Sequence, residues 1–161
     1  MVRSDIPLLI DLGIVAELNW ERTLGTLRGA KFEGFRSIGE LQRNVKGIPS
    51  EKGVYIVLRE SGRSPRLRKP GTGGHFKGRD PNAKKSTLRK NWVSNAHIIY
   101  IGKAGHKNQR ATLQTRICAY LQFGKGNRAP HWGGRYIWQL RDREKLLVKS
   151  GSCWINGLGM R

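Results

Sequence analysis

"HIIYIGKAGHKNQRATLQTRICAYLQFGKG", residues 97–126, runs from a short apolar strand through a Gly- and Lys-rich turn into an amphipathic helix that ends at a glycine. The strand is "AHIIYIG", 96–102. Asn108 is placed to cap a helix over about 109–122, and Gly124 to terminate it in the left-handed conformation. Leu113, Ile117, Tyr120 and Leu121 fall on one stripe of that helix and mark its buried face. The polar residues are the unusual part. Tyr100, Lys103, Arg116 and Tyr120 stand where a plain scaffold accepts duller residues, so the stretch raises the question of what chemistry gathers two phenols, an ammonium and a guanidinium.

Working outward, "GVYIVLRE", 53–60, is rich in β-branched and aromatic residues, and Pro49 and Gly53 punctuate its approach, which predicts a strand. Val54, Ile56 and Leu58 would share one face, with Tyr55 and Val57 on the other. "SIGELQRNV", 37–45, reads as a short helix, with Ser37 as N-cap and Glu40 at the capping-box position. "RYIWQL", 135–140, reads as a third strand, "RDRE" as a turn, and "KLLVK" as a fourth strand pairing back as a hairpin. Residues 1–36 form an N-terminal extension whose "IPLLIDLGIVAEL" fits strand or helix, and residues 150–161 form an irregular, glycine-rich tail. The expected fold is therefore α+β: a small antiparallel sheet of three or four strands flanked by helices.

Between the two best strands lie residues 61–95, "SGRSPRLRKPGTGGHFKGRDPNAKKSTLRKNWVSN". Pro65, Pro70, Pro81 and the glycines break any long element, and apolar content is too thin for an independent core. A long basic inserted loop is expected here, and such a loop inside a compact domain is usually functional or disordered.

At 161 residues the chain is one domain of ordinary size. Its formal net charge of +20 says nothing about fold but favours a polyanionic partner. That charge is uneven: residues 1–60 carry nine Lys/Arg against eight Asp/Glu, whereas residues 61–95 carry ten basic residues and only Asp80. Arg66, Arg68, Lys69, Lys77, Arg79, Lys84, Lys85, Arg89 and Lys90 are thus the candidate nucleic-acid-binding residues. Trp92 and Phe76 are candidates for stacking on bases, or equally for packing the loop onto the domain. No apolar run approaches the ~20 residues of a membrane span. No small-residue cleavage pattern follows the N-terminus, which argues against a signal peptide. Cys118 and Cys153 match neither a disulfide framework nor a zinc motif, and a reducing, cytoplasmic setting is expected. Cys118 reads as a small packing residue.

"GVY", 53–55, together with "YIG", 100–102, resembles the two signature strands of the GIY-YIG nuclease family. The resemblance extends through "YIGKAG", Arg116 and Tyr120 spaced R-x-x-x-Y on a helix, and the "HWGGRYIWQL" segment, covering roughly 37–149. It implies a GIY-YIG-like domain over those residues, with 61–95 as an insertion. It also implies a small antiparallel sheet flanked by helices that cleaves DNA phosphodiester bonds with one divalent metal, Mg²⁺ being the natural choice. By resemblance, Tyr55 and Tyr100 line the site, with Tyr55 helping to activate the attacking water. Lys103 and Tyr120 match positions used by restriction-type members, and Arg116 matches the catalytic arginine.

These roles make chemical sense. Phosphodiester hydrolysis gathers negative charge on the non-bridging oxygens, and a fixed guanidinium there favours the transition state over the ground state. Arg116 lies at the rim of the apolar stripe, about 60° round the wheel from Leu113. Tyrosine is a poor base at its usual pKa of about 10, and Lys103 or a metal-bound water would lower it. Glycines at 53 and 102 would let a phosphate backbone come close to the strand ends.

Plainer readings stand beside these. Tyr55 and Tyr100 also fit sheet residues with wet hydroxyls, Arg116 a side chain covering apolar surface, and Lys103 one more charge on a basic protein. Of the four histidines, His131 beside Trp132 is best placed to neighbour the site, with a structural role the commoner alternative. His75, His97 and His106 show no ligand spacing.

One part of the family pattern is missing. A hard divalent ion wants carboxylate oxygen. After Tyr100 the chain has only Asp142 and Glu144, both in an expected turn, and no helix bearing a glutamate follows "KLLVK". The expectation is a domain truncated after about residue 149, impaired in metal binding, with one sheet face left open. The alternative to an endonuclease is then a catalytically silent, basic nucleic-acid-binding protein. A ribosomal or chromatin-like protein would explain the charge but not the tyrosine–arginine order.

Overall fold

The computed structural model describes residues 20–105 and 110–151. They form an α+β fold on a four-stranded antiparallel sheet. Strands β1 (Glu33–Ser37), β2 (Gly53–Leu58), β3 (Ile98–Ala104) and β4 (Leu147–Gly151) lie in the order β1-β4-β2-β3. The helices are α1 (Trp20–Gly29), α2 (Ile38–Arg43), α3 (Lys85–Lys90) and α4 (Leu113–Gly124).

Period-two alternation in β2 divides the core in two. Val54, Ile56 and Leu58 face α1, packing with Leu24, Leu27 and Phe32. Tyr55 and Val57 face the other way, toward Leu41 of α2 and Leu113, Ile117, Tyr120 and Leu121 of α4. Both faces are thus covered, and the face expected to lie open is closed by α1 from the segment read as an extension. The sheet itself begins at Glu33, ahead of residue 37, because β1 pairs with β4.

Local signals explain two helices. The Ser37 side chain caps α2 and accepts from Glu40 N, while the Glu40 carboxylate accepts from Ser37 N at 2.7 Å. Helix α4 starts later than the sequence suggested. Thr112 caps it and forms a reciprocal box with Thr115, and Asn108 lies outside the described residues. Its end is also shifted: Gly124 is still helical and carries the Trp138 ring where a Cβ would sit, and the positive φ of 90° falls at Gly126.

Two expected strands are corrected. Residues 132–134 and 137–139 are short 3₁₀ turns. Gln139 N donates to Tyr136 O at 3.1 Å and Leu140 N to Ile137 O at 3.0 Å, so the backbone groups a ladder would need are used within the turn itself. "KLLVK" does supply strand residues, but β4 inserts between β1 and β2 and forms no hairpin with 135–140. Ser150 and Gly151 close β4, and the remaining residues of the expected tail, 152–161, lie outside the described part, as do 1–19. In β4, Lys149 is buried and donates to the Phe32 carbonyl at 3.0 Å, with burial, then Arg28, lowering its pKa to about 8.

The segment between β2 and β3 is fastened to the 138–141 turn. Arg68 N donates to Gln139 O at 2.8 Å, Thr72 N to Trp138 O at 3.0 Å, and Arg141 N to Arg66 O at 2.9 Å. At its base the buried Arg59 guanidinium pairs with Asp142 at 2.7 Å and lies over the Trp92 ring at 5.5 Å. Leu67, Phe76 and Trp92 pack against the main core, which offsets the lack of an independent one.

Gln139, 1% exposed, accepts from Ala83 N at 2.8 Å and donates to Ala83 O at 3.0 Å. Gln139→Leu strands both Ala83 groups in the interior and should destabilise the fold by about 1–3 kcal/mol. Urea denaturation reads this directly, and an unchanged midpoint would mean the segment is held by packing alone. Among the described residues no helix is long and apolar enough to cross a membrane.

Candidate functional site

Tyr55 is the centre of a buried aromatic cluster. In the β2–β3 register Tyr55 sits opposite Gly102, and Val57 opposite Tyr100. Side chains at paired positions share a face, so Tyr55 and Tyr100 emerge together toward α4. A Cβ on Gly102 would overlap the Tyr55 ring. Gly102 therefore serves the tyrosine and does not open the strand to a phosphate backbone. Gly53 is likewise filled, against Gly151 and Leu113.

Helix α4 contributes Tyr120, one turn after Arg116. The Tyr100 and Tyr120 rings stack at 5.8 Å with planes 1° apart, and Tyr55 lies 6.0 and 6.2 Å from them. His131, from the turn after α4, closes the cluster at 4.9 Å from the Tyr120 ring. Its Nε2 meets the Tyr55 hydroxyl at 2.5 Å. Behind these, Trp138 packs on Tyr120 at 4.8 Å. A Cβ on Gly134 would run into Tyr120 and His131, so that glycine lets the turn carry His131 close to the helix.

Burial sets the protonation states. Tyr55 and Tyr120 are fully buried, and desolvation drives both phenol pKa values well above the usual one, with the neighbouring Tyr100 adding to it. Arg116 pulls Tyr55 the other way but does not prevail. His131 is 2% exposed, and its pKa falls to about 4, first through burial and then through the Arg116 charge. At neutral pH Tyr55 and Tyr120 are neutral phenols and His131 is a neutral imidazole. Tyr55 has one proton to give, to Tyr100 or to His131, and the His131 tautomer follows from that choice.

Arg116 sits at the edge of the cluster. It is half-buried, and its Nη1 reaches the Pro130 carbonyl at 3.4 Å, one residue before His131. Tyr100 is also half-buried. These two groups meet solvent, and Tyr55, Tyr120 and His131 lie behind them.

Lys103 is not brought to this place. It pairs with Val54 across β2–β3 and so emerges on the α1 face, where it is exposed. Alternation along β3 carries this signal, since Tyr100 and Gly102 share one face and Ile101 and Lys103 the other.

No described carboxylate joins the cluster. Glu144 is 62% exposed and pairs with Arg143 at 3.0 Å, and Asp142 is bound to Arg59. Among the described residues no three of His, Cys, Asp and Glu lie together as a metal site. Phenols, an imidazole and a guanidinium do not fit a hard divalent cation, so no ligand for Mg²⁺ is assigned.

Of the nine basic candidates between β2 and β3, all but Arg68 are exposed. Arg68 is half-buried and donates from Nε to Pro70 O at 3.1 Å. Beside them lies a group the sequence reading passed over. The Arg135 guanidinium packs on Trp132 at 4.8 Å and on Tyr136 at 4.3 Å, and donates to the Tyr136 hydroxyl at 2.8 Å. Arg79 approaches the Trp132 ring at 6.0 Å. The available hint was the aromatic density of "HWGGRYIWQL", which suggested a strand instead. No family model, curated protein or solved structure matches this chain.

Proposed function

We propose that this chain binds duplex DNA as a domain of the GIY-YIG endonuclease type, with Tyr55, Tyr100, Arg116 and His131 as its phosphodiester site. The observation that carries the proposal is the half-exposed Arg116 guanidinium at the mouth of a buried Tyr–His cluster, in a chain of net charge +20. A guanidinium held there meets two non-bridging oxygens of one phosphate, and the exposed lysines and arginines meet the phosphates around it.

In the hydrolytic reading, Tyr55 takes a proton from the attacking water as it passes its own to the neutral His131 Nε2. The water oxygen bonds to phosphorus, the P–O bond to the leaving sugar oxygen breaks, and that oxygen takes its proton from solvent. Arg116 neutralises the charge that develops on phosphorus-bound oxygen. The proposed divalent-ion requirement rests on the resemblance alone. A silent, purely binding domain is the second reading. It is favoured by the complete burial of Tyr55, its raised pKa and the absence of a described carboxylate at the cluster. A plasmid-nicking assay with Mg²⁺ and with EDTA separates the two: Mg²⁺-dependent nicking supports the nuclease, and none supports the binder.

The binding surface has its own test. Deleting the segment between β2 and β3 would also remove the partners of the 138–141 turn, so neutralisation is the cleaner variant. Replacing Lys84, Lys85, Arg89 and Lys90 together by Gln should flatten the log–log salt dependence of duplex affinity by up to about 0.9 for each phosphate left unneutralised. An unchanged slope would take these four residues out of the interface.

A further inference from the structure

A two-residue hairpin turn in the segment between β2 and β3 reaches the edge of the candidate site. Phe76 and Arg79 pair across it as an antiparallel bridge, with Arg79 N donating to Phe76 O at 3.1 Å and Phe76 N to Arg79 O at 3.4 Å. Lys77 and Gly78 between them have φ of 53° and 72°, the left-handed pair that closes such a turn. Phe76 packs against the main core and anchors it, while Lys77, Gly78 and Arg79 are exposed. The Arg79 guanidinium lies over the Trp132 ring at 6.0 Å, and among the described residues nothing hydrogen-bonds or ion-pairs with it. Arg135 packs on the same ring at 4.8 Å but is already engaged, donating from Nη1 to Trp132 O at 3.2 Å and from Nη2 to the Tyr136 hydroxyl at 2.8 Å. Trp132 itself adjoins the site. Its Cα is two steps along the chain from that of Pro130, at most about 7.6 Å, and Arg116 Nη1 reaches Pro130 O. Tyr100, the other solvent-facing member of the site, shares a cleft wall with Gly133 and Tyr136. The mouth of the site and the turn that carries Trp132 therefore lie on one continuous surface.

We propose that Trp132 is a positioning residue for nucleic acid: it holds the Arg79 guanidinium against the phosphate backbone next to the phosphate met by Arg116. This rests on the nucleic-acid reading and names the contact through which the strand leaves the site. An arginine on an exposed turn gives up rotamer freedom when it binds. Resting the guanidinium on an indole face removes part of that loss beforehand, and its N–H groups still point outward in its own plane. The surroundings favour an anion. Arg79, Arg116 and Arg135 come from three different elements and are brought around residues 130–132 by contacts, not by sequence adjacency. A chain of regularly spaced phosphates meets Arg116 and Arg79 together, whereas a single small anion meets one of them.

The test measures binding of the full chain to a labelled duplex by fluorescence anisotropy across a series of salt concentrations. Arg79→Gln should flatten the log–log salt slope by up to about 0.9, the share of one phosphate contact. Trp132→Leu removes no charge, yet it should flatten the slope by a similar amount, which a purely structural role for the ring would not do. Trp132→Phe keeps a ring under the guanidinium and should restore the slope. Adding Trp132→Leu to Arg79→Gln should change nothing further, because the tryptophan acts through the arginine. Arg79→Lys keeps the charge but gives up the planar stack, so it should retain the slope and bind several-fold more weakly. Arg79 is exposed, so its two variants decide the matter if those at Trp132 fail to fold. A wild-type slope in Arg79→Gln, wild-type affinity in Arg79→Lys, or a further fall in the double variant would overturn the proposal and leave the nucleic-acid reading standing. Absence of salt-dependent binding by the wild type would overturn that reading itself.

Discussion

Acidification from pH 7.5 to pH 4.5 is expected to cost the folded chain up to about 3 kcal/mol through His131 alone. In the folded chain burial and Arg116 hold the imidazole near a pKa of about 4, against 6.5 when exposed. Between those values the unfolded chain binds a proton that the folded chain refuses. The contribution is therefore fully present above pH 6.5 and is lost progressively as pH falls toward 4. The surroundings leave no easy relief. Protonated His131 would face the Tyr55, Tyr100 and Tyr120 rings and the Arg116 guanidinium, with no described carboxylate among them. Its Nδ1 has no described partner that could carry the new charge. Urea denaturation of wild type and His131→Gln across this range isolates the effect, since Gln keeps a hydrogen-bonding partner for Tyr55 but does not titrate. Other acid-sensitive groups, such as the Glu40 carboxylate held low by Ser37, are common to both proteins and cancel in the difference. The two stability profiles should diverge below pH 6.5, and coincident profiles would show that His131 is not buried as a neutral group.

The same cluster shows which parts of the molecule are legible in the sequence. Alternation in β2 divides Val54, Ile56 and Leu58 from Tyr55 and Val57, because one residue's step in a strand is half a turn. The Ser37–Glu40 spacing marks α2 because the reciprocal bonds are made within four residues. Tyr120 falls on the buried stripe of α4 for the same local reason. Lys103 was legible too, since the alternation that buries Tyr55 puts Lys103 on the opposite face. There, similarity of motif outweighed geometry.

What the sequence hid is long-range. Nothing near Gln139 announces that its amide is spent on Ala83, or that Arg59 reaches Asp142. Composition also misleads where packing is irregular. Residues 135–140 have the β-branched and aromatic character of a strand, yet Trp138 must lie on Gly124 while Gln139 turns back to the inserted segment. The local bonds Gln139 N→Tyr136 O and Leu140 N→Ile137 O fold these residues into a 3₁₀ turn. Similarly, Gly102 reads as an opening for a phosphate backbone and Gly124 as a helix terminator, and both are instead seats for the rings of Tyr55 and Trp138.

Arg116→Ala tests the site at its most consequential residue. If wild type nicks plasmid in Mg²⁺, this variant should nick about 10²- to 10³-fold more slowly, the cost of one donor aimed at transition-state charge. Duplex affinity should hardly move, since one of many phosphate-facing cations is removed, and this split between rate and binding is what distinguishes the role. Arg116→Lys should restore the charge without restoring the rate, because a point ammonium cannot meet two oxygens in the plane of a guanidinium. The structure supplies a second, independent readout. Arg116 is one of the two influences that lower the His131 pKa, so Arg116→Ala should raise that pKa and narrow the acid-sensitive range. A histidine titration by NMR follows this without any catalysis. A rise in the His131 pKa with nicking intact would place the guanidinium beside the cluster but outside the chemistry. A fall in nicking together with that rise would tie charge, imidazole and phosphodiester to one site.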